Sequence, residues 1–360
     1  MDRLLPGQSL PVGGTLTAPN GKTTLILQGD GNLVLYRTGN IPRWASNTDG
    51  RQVDILEMQE DGNLVMYGPG HSYVWDSGTD RHYGAWLILQ DDGNLVIYDA
   101  NGHALWSSDT WIRQHSVPGF TPSTHAFHFN NSSFPSCPLF NLIPPIPFAD
   151  IKIPIGNASN GVCGGMVFAV RDLFESNQLP PATKVSPCGG GLYNYLVDRF
   201  MASFNLPGGI ATYMMLMNPA LPDHETDMSK IGLAPRGRAW RMIKDEWPKM
   251  KRKLDSNQLV PLALVQTKSL NPFDLGKNHV VLVYGYELDG SDLSLKIYDP
   301  NHPDVDNATI SLSIANPDHT TEVFRSHSTS KRIWCFFQPY YSFSRPTFIH
   351  AASAVGEEHP

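Results

Sequence analysis

The chain has 360 residues, 41% hydrophobic and 17% charged, which is the composition of a globular protein and the length of two domains. Its formal net charge of −7 leaves no basic excess to neutralise phosphates, so nucleic acid is excluded as the main partner. No apolar run is long enough to span a membrane as a helix.

The N-terminus, Met1-Asp2-Arg3-Leu4-Leu5-Pro6-Gly7, lacks the apolar stretch of a secretory signal. The expected location is therefore the cytoplasm, or outside the cell by a route that needs no signal. On that reading the glycosylation sequons at Asn130, Asn131, Asn157 and Asn307 are chance matches. The cysteines are Cys137, Cys163, Cys188 and Cys335, too few and too spread for a disulfide scaffold.

Residues 5–27 read as short strands separated by turn residues such as Pro11-Val-Gly-Gly14 and Pro19-Asn-Gly21. A nine-residue stretch then appears three times. The copies are Gln28-Gly-Asp30-Gly-Asn32-Leu-Val34-Leu-Tyr36, Gln59-Glu-Asp61-Gly-Asn63-Leu-Val65-Met-Tyr67 and Gln90-Asp-Asp92-Gly-Asn94-Leu-Val96-Ile-Tyr98. A fixed period of this size marks a repeat architecture. Gln, Asp, Asn, Val and Tyr recur at every second position, and on a strand such positions share one face. The intervening apolar residues, Leu33 and Leu35 in the first copy, face the other way into a core.

The shared face is rich in hydrogen-bonding groups of mixed kind. Asp accepts, Asn and Gln donate and accept, and the Tyr hydroxyl does either. Adjacent sugar hydroxyls, each a donor and an acceptor at once, call for such a mixture. A solvated strand face with Asp-Gly turns is the plainer reading of one copy. Three copies that keep all five residue types argue for a ligand.

The pattern Gln-x-Asp-x-Asn-x-Val-x-Tyr resembles the bulb-type mannose-binding lectins of monocots and their microbial and fungal relatives. The resemblance covers about residues 5–112. It implies a β-prism II fold of three four-stranded sheets about a pseudo-threefold axis, with one mannose pocket per sheet. It also implies roles: Asp30, Asp61, Asp92 and Asn32, Asn63, Asn94 on the sugar O2. Gln28, Gln59 and Gln90 would hold O3, Tyr36, Tyr67 and Tyr98 would hold O4, and Val34, Val65 and Val96 would pack on the ring. Plant members usually carry a disulfide with a Cys inside one motif. Gly31, Gly62 and Gly93 stand at those positions here, and residues 1–136 contain no Cys.

Trp44-Ala-Ser46, Trp75-Asp-Ser77 and Trp106-Ser-Ser108 recur with the same period. Three equivalent Trp residues are expected to fill the centre of a threefold arrangement, in preference to stacking on sugar.

Residues 113–154 change character. Prolines at 118, 122, 135, 138, 144, 145, 147 and 154 rule out a regular helix and mark a linker between domains. Phe120, Phe127, Phe129, Phe134 and Phe140 make it too apolar for a free tether, so it is expected to pack along the second domain.

That domain, taken as 155–345 with a flexible tail at 346–360, begins with helical periodicity. Met166, Val170, Leu173 and Phe174 form one stripe, and Leu192, Leu196, Phe200 and Phe204 another. Trp240, Ile243, Trp247, Met250 and Leu254 form a third, with Pro248 expected to bend it. Strands follow over Pro261–Gln266, His279–Glu287, Leu293–Tyr298, Thr309–Ile314 and Arg332–Gln338. Helices followed by strands predict an α+β domain.

Cys163, in Gly161-Val-Cys-Gly-Gly165, opens the first helix, where the helix dipole favours a thiolate. His279, in Asn278-His-Val-Val-Leu-Val-Tyr-Gly-Tyr286, opens a strand and is the candidate base. Asp299, in Ile297-Tyr-Asp-Pro-Asn301, ends the next strand and is the candidate orienter. Taken singly, each reads more simply as a buried structural group; their joint order is what suggests a triad. This part resembles papain-like cysteine peptidases, especially the branch with Asp as third residue, over roughly 150–342. In that family a Gln shortly before the Cys helps form the oxyanion hole. Asn157 is the candidate here, with Asn160 as rival. Cys188, also before a helix, is the alternative nucleophile or a disulfide partner of Cys137 or Cys335.

No HExxH, GxSxG, phosphate-loop or paired CxxC motif is present, so no cofactor or metal is expected. His125 and His128 alone are too little for a metal site. The sequence thus predicts a mannose-binding lectin fused to a thiol hydrolase, acting on a protein substrate or transferring its acyl group. The alternative is a pure lectin whose second domain is inactive or mediates homo-oligomerisation.

Overall fold

The computed structural model describes residues 1–137, 162–327 and 331–348. The chain divides into two compact units, 1–113 and 114–360.

The first unit is all-β and holds three four-stranded antiparallel sheets. In one, Thr15–Thr17, Thr23–Leu27, Leu33–Arg37 and Ile41–Ala45 lie in that order. The second is Ser9–Pro11, Ile55–Met58, Leu64–Gly68 and Ser72–Asp76. The third is Arg3–Leu4, Trp86–Leu89, Leu95–Tyr98 and Ala104–Ser107. Each sheet is therefore one repeat plus one short strand from the N-terminal stretch. The alternation reads as expected: Leu25, Leu33, Leu35, Leu56, Met66, Leu87 and Ile97 are fully buried in one core.

Trp44, Trp75 and Trp106 meet edge to face, with ring centroids 5.4 to 6.2 Å apart. They sit against the core and stay partly exposed. Gly31, Gly62 and Gly93 have φ of +87°, +93° and +85°. A Cβ at Gly31 or Gly62 would fall within 2.3 Å of a backbone carbonyl oxygen, that of Arg51 or His82. Only glycine satisfies both conditions.

The second unit contains a seven-stranded sheet. Its main path runs Phe324–Arg325, Thr309–Ser313, Asp292–Tyr298, His279–Asp289, Val260–Val265 and Cys335–Phe337, every neighbouring pair antiparallel. Arg113–Ser116 pairs onto His279–Asp289 off this path. Helices Cys163–Glu175 and Gly190–Ser203 pack together, and the first lies on the His279–Asp289 strand. Gly164 and Gly165 allow the close approach, since a Cβ there would sit 2.3 Å from Ser203 Oγ and 2.2 Å from Leu196 O.

Several expectations change. Residues 114–137 of the Pro-rich stretch belong to the second unit and are not a separate linker. The expected packing of this stretch on that unit is found for Phe120, Phe127, Phe129 and Phe134, which are buried in its core; Phe140 lies outside the described residues. That stretch does include one helical turn, Pro122–His125, because Pro122 occupies the first turn, where no N–H is needed. The Trp240–Leu254 stripe is π-helical over Arg241–Glu246, and Pro248 falls in the first turn of Trp247–Asp255. The apolar helix Gly208–Met217 has no polar face and so no stripe to read. Cys188 is disulfide-bonded to Cys137, which removes it as a nucleophile.

Candidate functional site

The repeated residues converge in the same way on all three sheets. Gln28 Nε2 donates to Tyr36 Oη at 3.1 Å, Gln59 to Tyr67 at 2.9 Å and Gln90 to Tyr98 at 3.1 Å. That bond leaves the Tyr proton and the Gln carbonyl available. Oδ1 of Asp30, Asp61 and Asp92 accepts the backbone N–H two residues on, at 2.9 to 3.0 Å. Val34, Val65 and Val96 are at most 3% exposed, so they offer a sliver of apolar floor. A bulge between residues 35 and 36, 66 and 67, and 97 and 98 precedes each Tyr.

Asn32, Asn63 and Asn94 are held by the Ser of each recurring Trp-x-Ser stretch, whose role the sequence did not reveal, and by a Thr two residues further on. Their Oδ1 atoms accept from Ser46, Ser77 and Ser108 Oγ at 3.0 to 3.1 Å and from the N–H of Thr48, Thr79 and Thr110. Each Thr Oγ1 donates in turn to the carbonyl of Gly31, Gly62 or Gly93. With the carbonyl oxygen taken, the Nδ2 group is the part of each amide left to donate to another partner. The signal was there to read: Trp-x-Ser-x-Thr recurs three times with the same period.

The surroundings of the three pockets differ. Opposite Val34, Val65 and Val96 stand Ile26, Glu57 and Ile88 on one neighbouring strand. On the other stand Ala45, Asp76 and Ser107. Asp76 Oδ2 accepts from Asn63 Nδ2 at 3.1 Å. Tyr73, exposed, lies opposite Tyr67, where Pro42 and Ala104 lie opposite Tyr36 and Tyr98.

In the second unit the structure brings Cys163, His279 and Asp299 together. His279 Nε2 is 2.7 Å from Asp299 Oδ1, with both side chains buried. Cys163, partly exposed at the head of its helix, lies close enough to His279 for the two groups to interact electrostatically. Burial alone would push the Cys163 thiol up; His279 and the backbone N–H groups of Val280 and Gly164 outweigh it, and the thiol lies below its ordinary value. Burial would likewise push His279 down, but Cys163 and Asp299 raise it to about 9. Asp299, despite burial, is lowered to about 2 by His279 and Arg325. Arg325 Nη1 donates to Asp299 Oδ2 at 3.2 Å. No motif or periodicity marks Arg325, which arrives on a two-residue edge strand.

Asn157 and Asn160 lie outside the described residues. His128 Nδ1 meets Asp304 Oδ1 at 2.6 Å, and His125 bonds within its own turn. Among the described residues no group of three His, Cys, Asp or Glu side chains could hold a metal ion, and no helix is long and apolar enough to cross a membrane.

Comparison with solved structures finds likeness over the N-terminal part. A monomeric mannose-binding lectin of Gastrodia elata is 47% identical over 31% of this chain and 99% of its own, with a TM-score of 0.29. The mannose-specific agglutinin of snowdrop (Galanthus nivalis) bulbs is 40% identical over 31% of this chain and 97% of its own, TM-score 0.26. A Japanese Marasmius oreades lectin is 29% identical over 30% of this chain and 91% of its own, TM-score 0.29. No family model matches the chain, and no curated protein does.

Proposed function

We propose that this chain is a mannose-binding lectin of β-prism type joined to a papain-like thiol hydrolase, which the lectin delivers to glycoconjugates. The observation that carries the first half is the threefold recurrence of one constellation: a Gln–Tyr bond, an Asp, and an Asn whose amide is oriented by Ser and Thr. Each pocket offers a carboxylate oxygen, an amide N–H, an amide carbonyl and a phenol proton on one small surface. Mannose hydroxyls match that set.

The second half rests on Cys163, His279 and Asp299. Transfer of the thiol proton to His279 gives a thiolate, which attacks a peptide carbonyl carbon. The imidazolium gives its proton to the leaving amine as the C–N bond breaks. Water then adds to the thioester, loses a proton to the imidazole, and releases the acid with the thiolate restored. Asp299 holds the ring and favours its charged form.

The test is a double separation on the full chain. Asn32→Ala, Asn63→Ala and Asn94→Ala together should abolish retention on immobilised mannose and leave thiol-dependent hydrolysis intact. Cys163→Ala should do the reverse. Retention by the triple variant would sink the pocket assignment. Hydrolysis by Cys163→Ala would sink the nucleophile.

A further inference from the structure

One side chain in the Pro-rich stretch touches both ends of the thiol site. Asn131 is buried. Its Oδ1 accepts the N–H of Val162, the residue before Cys163, at 2.6 Å. Its Nδ2 donates to Asn301 Oδ1 at 3.0 Å. Asn301 in turn donates its backbone N–H to Asp299 Oδ1 at 3.0 Å, the oxygen that faces His279.

We infer that Asn131 is a positioning residue that sets the spacing between the Cys163 helix and the Asp299 strand end; this rests on the reading of Cys163, His279 and Asp299 as the reacting set. The apolar Val162 side chain makes no cap bond to its own helix. Asn131, from a distant part of the chain, takes the Val162 N–H, one of the helix-start donors that have no partner inside the helix. The job needs an acceptor and a donor on two separate atoms of one planar group, which the Asn amide has; an ionised Asp only accepts, and Ser has a single oxygen for both roles.

The segment that carries Asn131 is itself tied down. Asn131 N–H donates to Pro300 O at 2.8 Å, and Asn130 Nδ2 donates to Asn301 O at 2.7 Å. Ser133 Oγ bonds Ser186 Oγ at 2.6 Å, and Cys137 is linked to Cys188 just ahead of the Gly190–Ser203 helix. Movement of this segment would move both ends of the site. The Cys163–His279 distance is thus set from outside the helix and strand that carry them.

The readout is the ultraviolet absorbance of the Cys163 thiolate against pH, taken as the full chain minus its Cys163→Ser variant. Asn131→Ala should cut the thiolate fraction in the acid range about threefold to tenfold, the loss of one neutral hydrogen bond from the ion-pair geometry. Asn301→Ala, which keeps the Val162 bond, should show the same change at smaller size. It decides the matter if Asn131→Ala does not fold. A folded Asn131→Ala or Asn301→Ala with the wild-type curve would overturn the inference alone. A wild-type midpoint at the ordinary thiol value would remove the thiolate reading and this inference with it.

Discussion

His279 and Asp299 share a face of the sheet only because the strand between them carries an extra residue. Asp289 pairs with Asp292 and Gly285 with Lys296, but beyond the bulge Val283 pairs with Ile297. Continued without the bulge, the first register would set Asp299 opposite Leu282, on the face away from His279. With Tyr284 as the additional residue, Asp299 comes round to the face of Val281 and His279. The 2.7 Å contact follows.

That contact has a consequence for acid stability. Asp299 is lowered from 3.8 to about 2. A carboxyl depressed on folding stabilises above its unfolded pKa and loses that contribution as pH falls through the folded one. The melting temperature of the second unit should therefore drop between about pH 4 and pH 2. Asp299→Asn should be less stable at neutral pH and show a shallower drop, followed by circular dichroism.

Arg325 is expected to act through Asp299. Arg325→Ala leaves Oδ2 without its cation and should raise the Asp299 carboxyl. The acid edge of Cys163 reactivity should move to higher pH, while retention on mannose is unchanged. An unmoved edge would make Arg325 a packing residue.

The second pocket should respond to a single change at Asp76. Asp76 takes one N–H of Asn63, and Ala45 holds the matching position in the first pocket. In a chain with Asn32→Ala and Asn94→Ala, adding Asp76→Ala should tighten methyl α-mannoside binding about threefold by calorimetry, the worth of one freed hydrogen bond. Weaker binding would mean that Asp76 itself accepts from the sugar.

Gly165→Ala should loosen the helix pair. The new methyl would stand 2.2 Å from Leu196 O, a backbone atom that cannot turn aside. A loss of about 1–3 kcal/mol is expected from urea unfolding, with the slope unchanged. An unmoved midpoint would show that the helices have slack.

Much of this was legible because local chemistry carried it. The period of the Gln-Asp-Asn-Val-Tyr stretch announced three equivalent strand faces, and alternation separated Leu33 and Leu35 from the polar side. Cys163, His279 and Asp299 could be put in order along the chain. Pairing the two strands antiparallel through 288–292 puts His279 and Asp299 at the same end, as the structure has it. That they also share a face could not be derived, because it depends on a bulge at Tyr284 that no residue pattern marks. Arg325 and Asn131 were hidden for a related reason. Each reaches the site from a short element with no periodicity, across 26 residues to Asp299 and 31 to Val162. The unequal flanks of the pockets, Glu57 and Asp76 beside Val65, needed strand registers that the sequence alone does not fix.

The most direct test of the account is the rate of Cys163 alkylation by a thiol reagent against pH, in the full chain and in His279→Ala. The account predicts fast labelling below neutral pH that slows sharply when His279 is lost, as a thiolate–imidazolium pair requires. Labelling that is slow below neutral pH and indifferent to His279→Ala would contradict it, and would leave a lectin with a non-catalytic second unit.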